Sequence, residues 1–544
     1  MDTIIRGNLV NIQDRKIQGG KIIVQNGRII KKEYDQMQYD HFILPGFIDA
    51  HVHIESSMLV PREFARIAVM HGTIATVSDP HEIANVLGVE GVRYMIENGK
   101  EVPLKFHFGA PSCVPATTFE SAGAVIDAQD IEEILSWKDV LYLAEMMNYP
   151  GVLFEDMEVM KKIAIAKKWG KPVDGHAPGL MGDDAIKYIH AGITTDHECF
   201  KMEEALHKIT HGMKIIIREG SAAKNFEELW PLIDRFPERV MFCSDDLHPD
   251  NLMEGHINVL VKRALEKGCN LFNVLGAACI NPVHHYRLPV GILQEGDPAD
   301  FVKVRDLQSM EVLETWIEGE CVFREGKSNI TYSTSKKLNH FNTHEIIVED
   351  LKLEAESNSA LIIVAEDGQL ITGSTEREVK VVEGAVVADL DHDILKLVVV
   401  NRYSRQKPAI ALIHRFGLKA GAIASCVAHD SHNIIAVGAD DGSICEAINA
   451  IIRNQGGISA VNANLTEVLP LPIAGIMTDA RAEQVAESYK KIDRMSKEMG
   501  SKLKAPFMTL SFMALLVIPS LKLSDKGLFN GEKFEFVKLF TGKD

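Results

Sequence analysis

Residues 44–55 read LPGFIDAHVHIE, and this stretch decides how the first half of the chain is interpreted. Pro45 and Gly46 precede an apolar run, FIDA, which is typical of a buried strand that delivers His51 and His53 at its end. On a strand, residues i, i+2 and i+4 point to one side, so we expect His51, His53 and Glu55 to face the same point. Imidazoles and a carboxylate placed in this way suit a metal ion, although an HxH pair alone arises often by chance.

Short apolar runs that alternate with helix-like stretches continue from this point to about residue 289. The runs are GTIATVSD, LKFHFGA, VLYLAEMMN, KPVDGHA, GITTDHE and RVMFCSDD. Strands separated by helices indicate parallel β/α architecture, and the segment has room for roughly eight units of about 30 residues each. The sequence therefore predicts an α/β fold in which residues 45–289 form a distorted (β/α)8 TIM-type barrel.

Two further regions lie outside the predicted barrel. Residues 1–44 and 290–330 have the strand and turn patterns of a small β-sheet, and we expect them to form one discontinuous β-sandwich module. Residues 340–544 contain their own strands and a helical stretch at 478–499, which predicts an additional C-terminal α+β domain. The polar connection at 325–345 is the expected boundary.

Composition and charge exclude some classes of partner. The chain has 544 residues, with 58 Lys and Arg against 76 Asp and Glu, and its formal net charge is −18. That field repels phosphate backbones and anionic headgroups, so we expect no nucleic-acid and no membrane partner. The apolar stretch 505–518 is shorter than the roughly 20 residues that span a bilayer. Scattered cysteines without a CxxC pair, and an N-terminus without a signal-peptide core, favour a cytoplasmic protein.

More side chains of the ligand type follow the later apolar runs. Glu145 follows VLYLA, His176 and His197 end KPVDGH and GITTDH, and Asp245 follows RVMFCS. Each alone has another interpretation, because a carboxylate there is often a helix cap and a single histidine is often structural. Barrel enzymes, however, place function at the carboxyl ends of their strands. We therefore predict a site for Zn, Fe or Mn, with room for two ions, from six residues: His51, His53, Glu145, His176, His197 and Asp245.

Several motifs together resemble the amidohydrolase superfamily over about residues 1–325, namely LPGFIDAHVHIE, the later histidines, the final aspartate and GDPADFV. HVHIESSM, VSDPHEIANV, AEMMNYPGV, DGHAPG and CSDDLHP resemble the adenine deaminases of that superfamily. SCVAHDSHNIIAVG and LPLPIAGIM resemble the C-terminal domain of the same enzymes. The resemblance implies hydrolytic deamination of adenine to hypoxanthine and ammonia in purine salvage. It also implies a binuclear Mn²⁺ or Fe²⁺ centre, and Zn²⁺ is compatible with the same ligands.

Three residues of these motifs have specific expected roles. Many members of the superfamily bridge two metals with a carboxylated lysine, and Glu145 takes that position here, where a glutamate can bridge as well. Asp245 is the expected catalytic acceptor of the proton of water. Glu55 is the expected acid, held protonated by burial, and its alternative role is to orient a histidine ligand.

Further residues of the same motifs are candidates for substrate binding. We expect His81, Glu82 and Asp246 to contact the purine, whereas Asp79 is more readily interpreted as a helix cap. The polar segment 429–433 has four open interpretations: it binds another ion, covers the barrel mouth, forms an interface or is a polar loop whose side chains hydrogen-bond to one another.

Other functions stay open at this point. The metal set would equally serve another cyclic amide or amidine hydrolase, such as one that acts on a different base or one like dihydroorotase or hydantoinase. A barrel that has lost catalysis and serves as a scaffold is a less favoured alternative. Because barrel hydrolases of this kind often associate, we expect a homo-oligomer.

Overall fold

The computed structural model describes residues 2–463 and 465–542. Four strands precede the barrel along the chain. These strands are β1 Thr3–Asn11, β2 Lys16–Gln25, β3 Arg28–Tyr34 and β4 Phe42–Pro45. β2 pairs antiparallel with both β1 and β3, and β1 pairs in parallel with β4. Since β4 ends immediately before the run FIDA, this sheet leads directly into the first strand of the barrel.

Eight short parallel strands form the barrel: β5 Phe47–Val52, β6 Thr73–Ser78, β7 Lys105–Ala110, β8 Val140–Met146, β9 Val173–Gly175, β10 Thr195–Asp196, β11 Lys214–Arg218 and β12 Val240–Cys243. β5 to β9 pair in chain order, and so do β10 to β12. A parallel bridge between Val173 and Ile193 joins the two sheets, and another between Val52 and Asp245 closes the ring. This ring confirms the predicted TIM-type barrel, and the two- and three-residue strands β10 and β9 account for its distortion.

Helices separate the barrel strands along the chain. They are α1 Pro61–Ala68, α2 His81–Leu87, α3 Val89–Gly99, α4 Ala128–Ser136, α5 Tyr149–Leu153, α6 Met157–Lys168, α7 Gly182–His190, α8 Met202–Thr210, α9 Phe226–Leu229, α10 Leu232–Arg235, α11 Pro249–Glu254, α12 Ile257–Glu266, α13 Leu271–Leu275 and α14 Asn281–Tyr286. Strands covered in this way are buried on both faces, and every residue of β5 and β6 is buried. Double burial explains why these segments are continuous apolar runs with little alternation.

After the barrel the chain returns to the N-terminal sheet. The strands are β13 Phe301–Val304, β14 Val312–Ile317, β15 Glu320–Arg324 and β16 Lys327–Ser328. β13 pairs antiparallel with β4, which gives one eight-stranded sheet in the order β16-β15-β14-β13-β4-β1-β2-β3. The stacked rings of Phe301 and Trp316 lie 5.5 Å apart in its core. Two segments that are distant in sequence therefore share one sheet.

The rest of the chain forms a second α/β region. Its strands are β17 Leu353–Glu354, β18 Ser359–Val364, β19 Gly373–Glu378, β20 Val381–Val382, β21 Ala385–Val386, β22 Ile394–Val400, β23 Ala409–His414, β24 Ala422–Ser425, β25 Ile434–Gly438, β26 Gly457–Asn462, β27 Leu465–Pro470, β28 Leu521–Ser524, β29 Gly527–Asn530, β30 Glu535–Phe536 and β31 Phe540–Thr541. Its helices are α15 Asp441–Asn454, α16 Ala482–Glu498 and α17 Pro506–Phe512. Nine of the strands form one mixed sheet. Among the described residues, no helix is both long and apolar enough to cross a membrane.

The second region packs directly on the barrel. Tyr489 of α16 and His248, at the start of α11, lie 2.6 Å apart between hydroxyl oxygen and Nδ1. Buried apolar side chains of the two regions belong to one continuous cluster, which includes Ile54 of the barrel and Phe507 of α17. The C-terminal region is therefore a part of the same hydrophobic core and lies against the barrel mouth.

Candidate active site

Side chains from five barrel strands converge at the mouth of the barrel. His51 lies in β5 and Glu145 in β8, and the other four follow the ends of β5, β9, β10 and β12. Because all eight strands run in parallel, their carboxyl ends meet at this one place. The structure brings together all six residues that the sequence analysis singled out, and each is at most 5% exposed: His51, His53, Glu145, His176, His197 and Asp245.

Three of these residues form a first group. The Nε2 atoms of His51 and His53 lie 3.1 Å apart, and they are 3.4 and 3.2 Å from Oδ1 of Asp245. Oε1 of Glu145 lies 3.4 Å from the Nε2 atom of His53. The backbone of Asp245 has a φ of 54°, a left-handed conformation that aspartate tolerates better than most residues. Four ligand atoms can thus meet at one point.

A second group lies on the other side of Glu145. Its Oε2 atom is 3.1 Å from Nε2 of His197 and 2.7 Å from Nδ1 of His176. The His197 ring stacks on that of His51, with centroids 4.1 Å apart, which holds the two groups against each other. One oxygen of Glu145 therefore faces each group, and this is the arrangement that a bridging carboxylate needs.

Hydrogen bonds do not satisfy all the buried nitrogen atoms of the site. Among the described residues, Nε2 of His197, the ring nitrogen that faces the second group, is buried and has no hydrogen-bond partner. A buried nitrogen without a partner is costly, whereas a divalent cation accepts lone pairs from several such atoms at once. Imidazole nitrogens mixed with carboxylate oxygens suit Mn²⁺, Fe²⁺ or Zn²⁺. The residues present therefore fit a transition-metal centre.

Arg218 and Glu198 belong to the same site, and the sequence analysis missed both. Arg218, the last residue of β11, donates to Oδ2 of Asp245 at 2.5 Å and to both oxygens of Glu198. Burial would raise the pKa of Asp245, but the Arg218 guanidinium and the neighbouring histidines hold it well below its usual range. Oε1 of Glu198 lies 3.5 Å from Nε2 of His197. Both residues show the pattern that identified the other site residues, which is a polar side chain at the end of an apolar run. Arg218 ends the run KIIIR, and Glu198 directly follows a ligand-type histidine.

Glu55 does not lie where strand alternation predicts. β5 ends at Val52 and the chain turns into a 3-10 helix over Ile54–Ser57, so the expected common face with His51 and His53 is wrong. Oε1 of Glu55 accepts a hydrogen bond from the amide of Ile83 at 3.2 Å. Burial raises the pKa of Glu55 to about 7. A carboxylic acid that holds a proton near neutral pH needs a pKa of this kind. The side chain does not, however, line the cavity beside the ligands.

The predicted substrate-binding residues do line that cavity. His81, Glu82 and Asp246 lie there with the metal-type ligands, and Nδ1 of His81 is 3.4 Å from Oε1 of Glu145. Oδ1 of Asp246 accepts a hydrogen bond from the Ser56 hydroxyl at 2.5 Å. Their contact with a substrate stays a prediction.

Asp79 orients the start of α2. Its Oδ1 atom accepts a hydrogen bond from the amide of His81 at 3.0 Å, and its Oδ2 atom lies 3.1 Å from Nδ1 of the same residue. The carboxylate also belongs to a buried group of ligand-type side chains with His53, His81 and Glu145. Asp79 therefore supports the helix end, as expected, while it orients the His81 ring toward the centre.

The polar segment 429–433 covers the barrel mouth. Nδ1 of His429 contacts Oε1 of Glu82, and Nε2 of His432 lies 2.5 Å from Oε2 of the same carboxylate. Asn433 donates to the carbonyl oxygen of Ser121 in a barrel loop at 2.9 Å. Of the interpretations that the sequence left open for this segment, the structure shows this one.

Comparison with protein families gives two matches along the chain. Residues 42–322 match the amidohydrolase family, and residues 369–535 match the adenine deaminase C-terminal domain. The first match spans the barrel with adjoining strands, and the second contains the segment that covers the mouth.

Relatives match nearly the whole chain. An adenine deaminase of Salinibacter ruber is 54% identical over 99% of this chain and 99% of the relative. Those of Sulfurovum sp. and Methanosarcina mazei are 55% and 51% identical, each over 98% of this chain and 99% of the relative. Among solved structures, a β-aspartyl dipeptidase of Fervidobacterium islandicum is 18% identical with a TM-score of 0.47, and it covers 60% of this chain and 99% of its own. The chain therefore belongs to the amidohydrolase family and, within it, to the adenine deaminases.

Proposed function

We propose that this protein catalyses the hydrolysis of adenine to hypoxanthine and ammonia, in purine salvage. The observation that carries the proposal is the convergence of four imidazoles and two carboxylates on one buried point, with Glu145 between two groups of ligands. Full-length relatives that are named adenine deaminase support the choice of substrate.

We further propose that the six residues hold two Mn²⁺ or Fe²⁺ ions. His51, His53 and Asp245 would hold one ion, His176 and His197 the other, and Glu145 both. When bound, such ions lower the pKa of water to about 7 and so supply hydroxide near neutral pH. Zn²⁺ fits the same donors, so availability decides between these metals.

The roles of the remaining residues follow from their contacts. Asp245 offers Oδ1 to the centre while Arg218 holds its Oδ2, so this carboxylate stays ionised and oriented to accept the proton of water. The amine that leaves adenine has to be protonated, and Glu55 holds a proton near neutral pH. Because Glu55 does not line the cavity, its proton would pass through a neighbouring polar side chain. The covering segment 429–433 excludes bulk water, which strengthens the electrostatic interactions inside.

The test is turnover by full-length protein loaded with Mn²⁺ or Fe²⁺. With adenine we expect ammonia and hypoxanthine in equal amounts, while adenosine, cytosine and dihydroorotate, as controls, stay unchanged. Protein that carries two ions per chain and leaves adenine unchanged would overturn the proposed substrate. Protein that cannot be loaded with any transition metal would overturn the assignment as a hydrolase.

A further inference from the structure

We propose that the C-terminal region supplies part of the substrate pocket, in which His429 and Asp430 hydrogen-bond to ring nitrogens of the purine. This inference rests on the proposed function, because the ligand it names is adenine. It adds two residues from outside the barrel to the recognition of the base.

The wall that the C-terminal region contributes to the cavity is mixed in character. Its residues are Leu370, His429, Asp430, Phe512 and Leu515. The Phe512 ring lies 5.7 Å from that of His429, at an angle of 33°. Apolar and aromatic surface with a few convergent polar groups is the usual lining of a site for a small flat ligand.

His429 directs one nitrogen at this cavity. Nδ1 contacts the Glu82 carboxylate, whereas Nε2 is buried and has no hydrogen-bond partner among the described residues. The backbone of His429 is held as well, since its amide donates to the Ser511 hydroxyl at 3.1 Å. Burial lowers the pKa of His429, but Glu82 and Asp246 raise it to about 9, so Nε2 carries a proton. Nε2 thus has no acceptor within hydrogen-bond distance among the described residues, and Oδ1 of Asp246 lies 3.7 Å from it.

Asp430 directs an acceptor at the same cavity. Oδ1 lies 3.6 Å from Nε2 of His81, and Oδ2 is buried without a partner among the described residues. The residue is 3% exposed, so water does not satisfy this oxygen from the surface. A buried polar atom without a partner is costly, and a ligand that supplies the missing hydrogen bond recovers that cost.

Adenine carries both complementary groups on its rings. Its ring nitrogens with lone pairs accept the proton of His429, and the N–H group of its five-membered ring donates to Asp430. A nucleoside has no such N–H group, because the sugar replaces the hydrogen. The pair therefore also accounts for selection of the free base, since a site built to hydrogen-bond an N–H group strongly rejects analogues that lack it.

The experiment compares the wild-type chain with D430N and H429Q, each full length and loaded with Mn²⁺, on adenine, 7-methyladenine and 9-methyladenine. The wild type should reject both methylated bases, since neither keeps an N–H group on its five-membered ring. D430N should lower kcat/KM for adenine roughly 10- to 100-fold, mainly through KM, and lose discrimination against both methylated bases. H429Q should lower kcat/KM for adenine and for both methylated bases alike.

D525N is the matched control. Asp525 is also buried in the C-terminal region and accepts a hydrogen bond from a barrel amide, that of Ser121, but it does not line the cavity. D525N should keep the wild-type KM and discrimination, and all variants should keep the wild-type metal content.

Several outcomes would overturn the inference. One is a D430N variant with wild-type KM and discrimination, and another is a D430N variant that loses metal, because Asp430 would then be a ligand. If D430N fails to fold, an H429Q variant with the wild-type KM for adenine would overturn the inference. Metal-loaded wild-type protein that leaves adenine unchanged would instead overturn the proposed function.

Discussion

Glu145 is the residue on which both groups of ligands depend. Burial would raise its pKa, but His176 and His197 hold it well below its usual range, so this carboxylate is ionised although it is 2% exposed. A buried anion is stable only when cations or donors surround it. At the residue scale, the charges of the site therefore compensate one another, and removing one charged side chain alone leaves its partners buried without compensation.

Replacing Glu145 with glutamine tests this balance. E145Q keeps the size of the side chain but removes one ligand oxygen and the charge, so it should bind less metal than the wild type after dialysis. Activity should fall by more than the roughly 10- to 100-fold that is typical for a residue that only supports a ligand. Metal analysis of the purified protein and the rate of ammonia release are the measurements.

E63Q is the control for this substitution, because Glu63 is fully buried in α1 and pairs with Arg66 away from the cavity. It should leave the metal content unchanged. An E145Q protein with two ions per chain and full activity would remove Glu145 from the centre.

At the scale of single elements, helix ends depend on local side chains that can be changed without effect on the site. Asp127 caps α4: its Oδ1 atom accepts from the amides of Gln129 and Asp130 at 2.8 and 3.0 Å. Oδ2 of Asp130 in turn accepts a hydrogen bond from the amide of Asp127 at 3.0 Å, which completes a capping box. This helix packs outside the barrel, so its stability is separable from catalysis.

We expect D127A to destabilise α4 by about 1 kcal/mol, because two amides lose their acceptor. Hydrogen exchange of the helix amides, followed by mass spectrometry, should accelerate roughly 5-fold while adenine turnover is unchanged. The control is E133A in the same helix, where the exposed Glu133 side chain makes only a surface ion pair with Arg93. Equal exchange rates in D127A and the wild type would contradict the assignment of the cap.

At the scale of the whole molecule, stability depends on histidines that are buried without a charge. Burial lowers the pKa of His107 to about 3, that of His285 to about 3 and that of His71 to about 4. The unfolded chain binds protons at these residues below about pH 6.5, while the folded chain does not. Stability is therefore lost as the pH falls through 6.5, and it is regained as the pH rises.

H107Q should reduce this pH dependence. Between pH 7 and pH 5 the wild type should lose about 2 kcal/mol more free energy of unfolding than H107Q does, because the variant lacks one of these protons. Denaturant unfolding at the two pH values measures the difference, and any metal release at low pH is common to both proteins. H190Q, which changes an exposed histidine, should behave as the wild type. Parallel losses in H107Q and the wild type would show that His107 is protonated in the folded state.

The sequence by itself determined the barrel and the gathering of ligand-type side chains at its mouth, because both depend on local patterns. Strands that are buried on two faces have apolar runs with polar ends. Parallel strands bring those ends together regardless of the intervening helices. His176, His197 and Asp245 could be identified in this way without any knowledge of their contacts. Glu55 could not be placed, since the point at which β5 gives way to a 3-10 helix depends on packing around the mouth.

Only the tertiary structure decided what covers the barrel and completes its cavity. His429 meets Glu82 across 347 residues of sequence, and no periodicity or spacing predicts a contact of that range. Arg218 and Glu198 likewise have a role only because β10, β11 and β12 are neighbours in the ring. The stretch 44–55 thus begins the ligand-type set at the barrel mouth, whereas long-range packing determines which other side chains line the cavity.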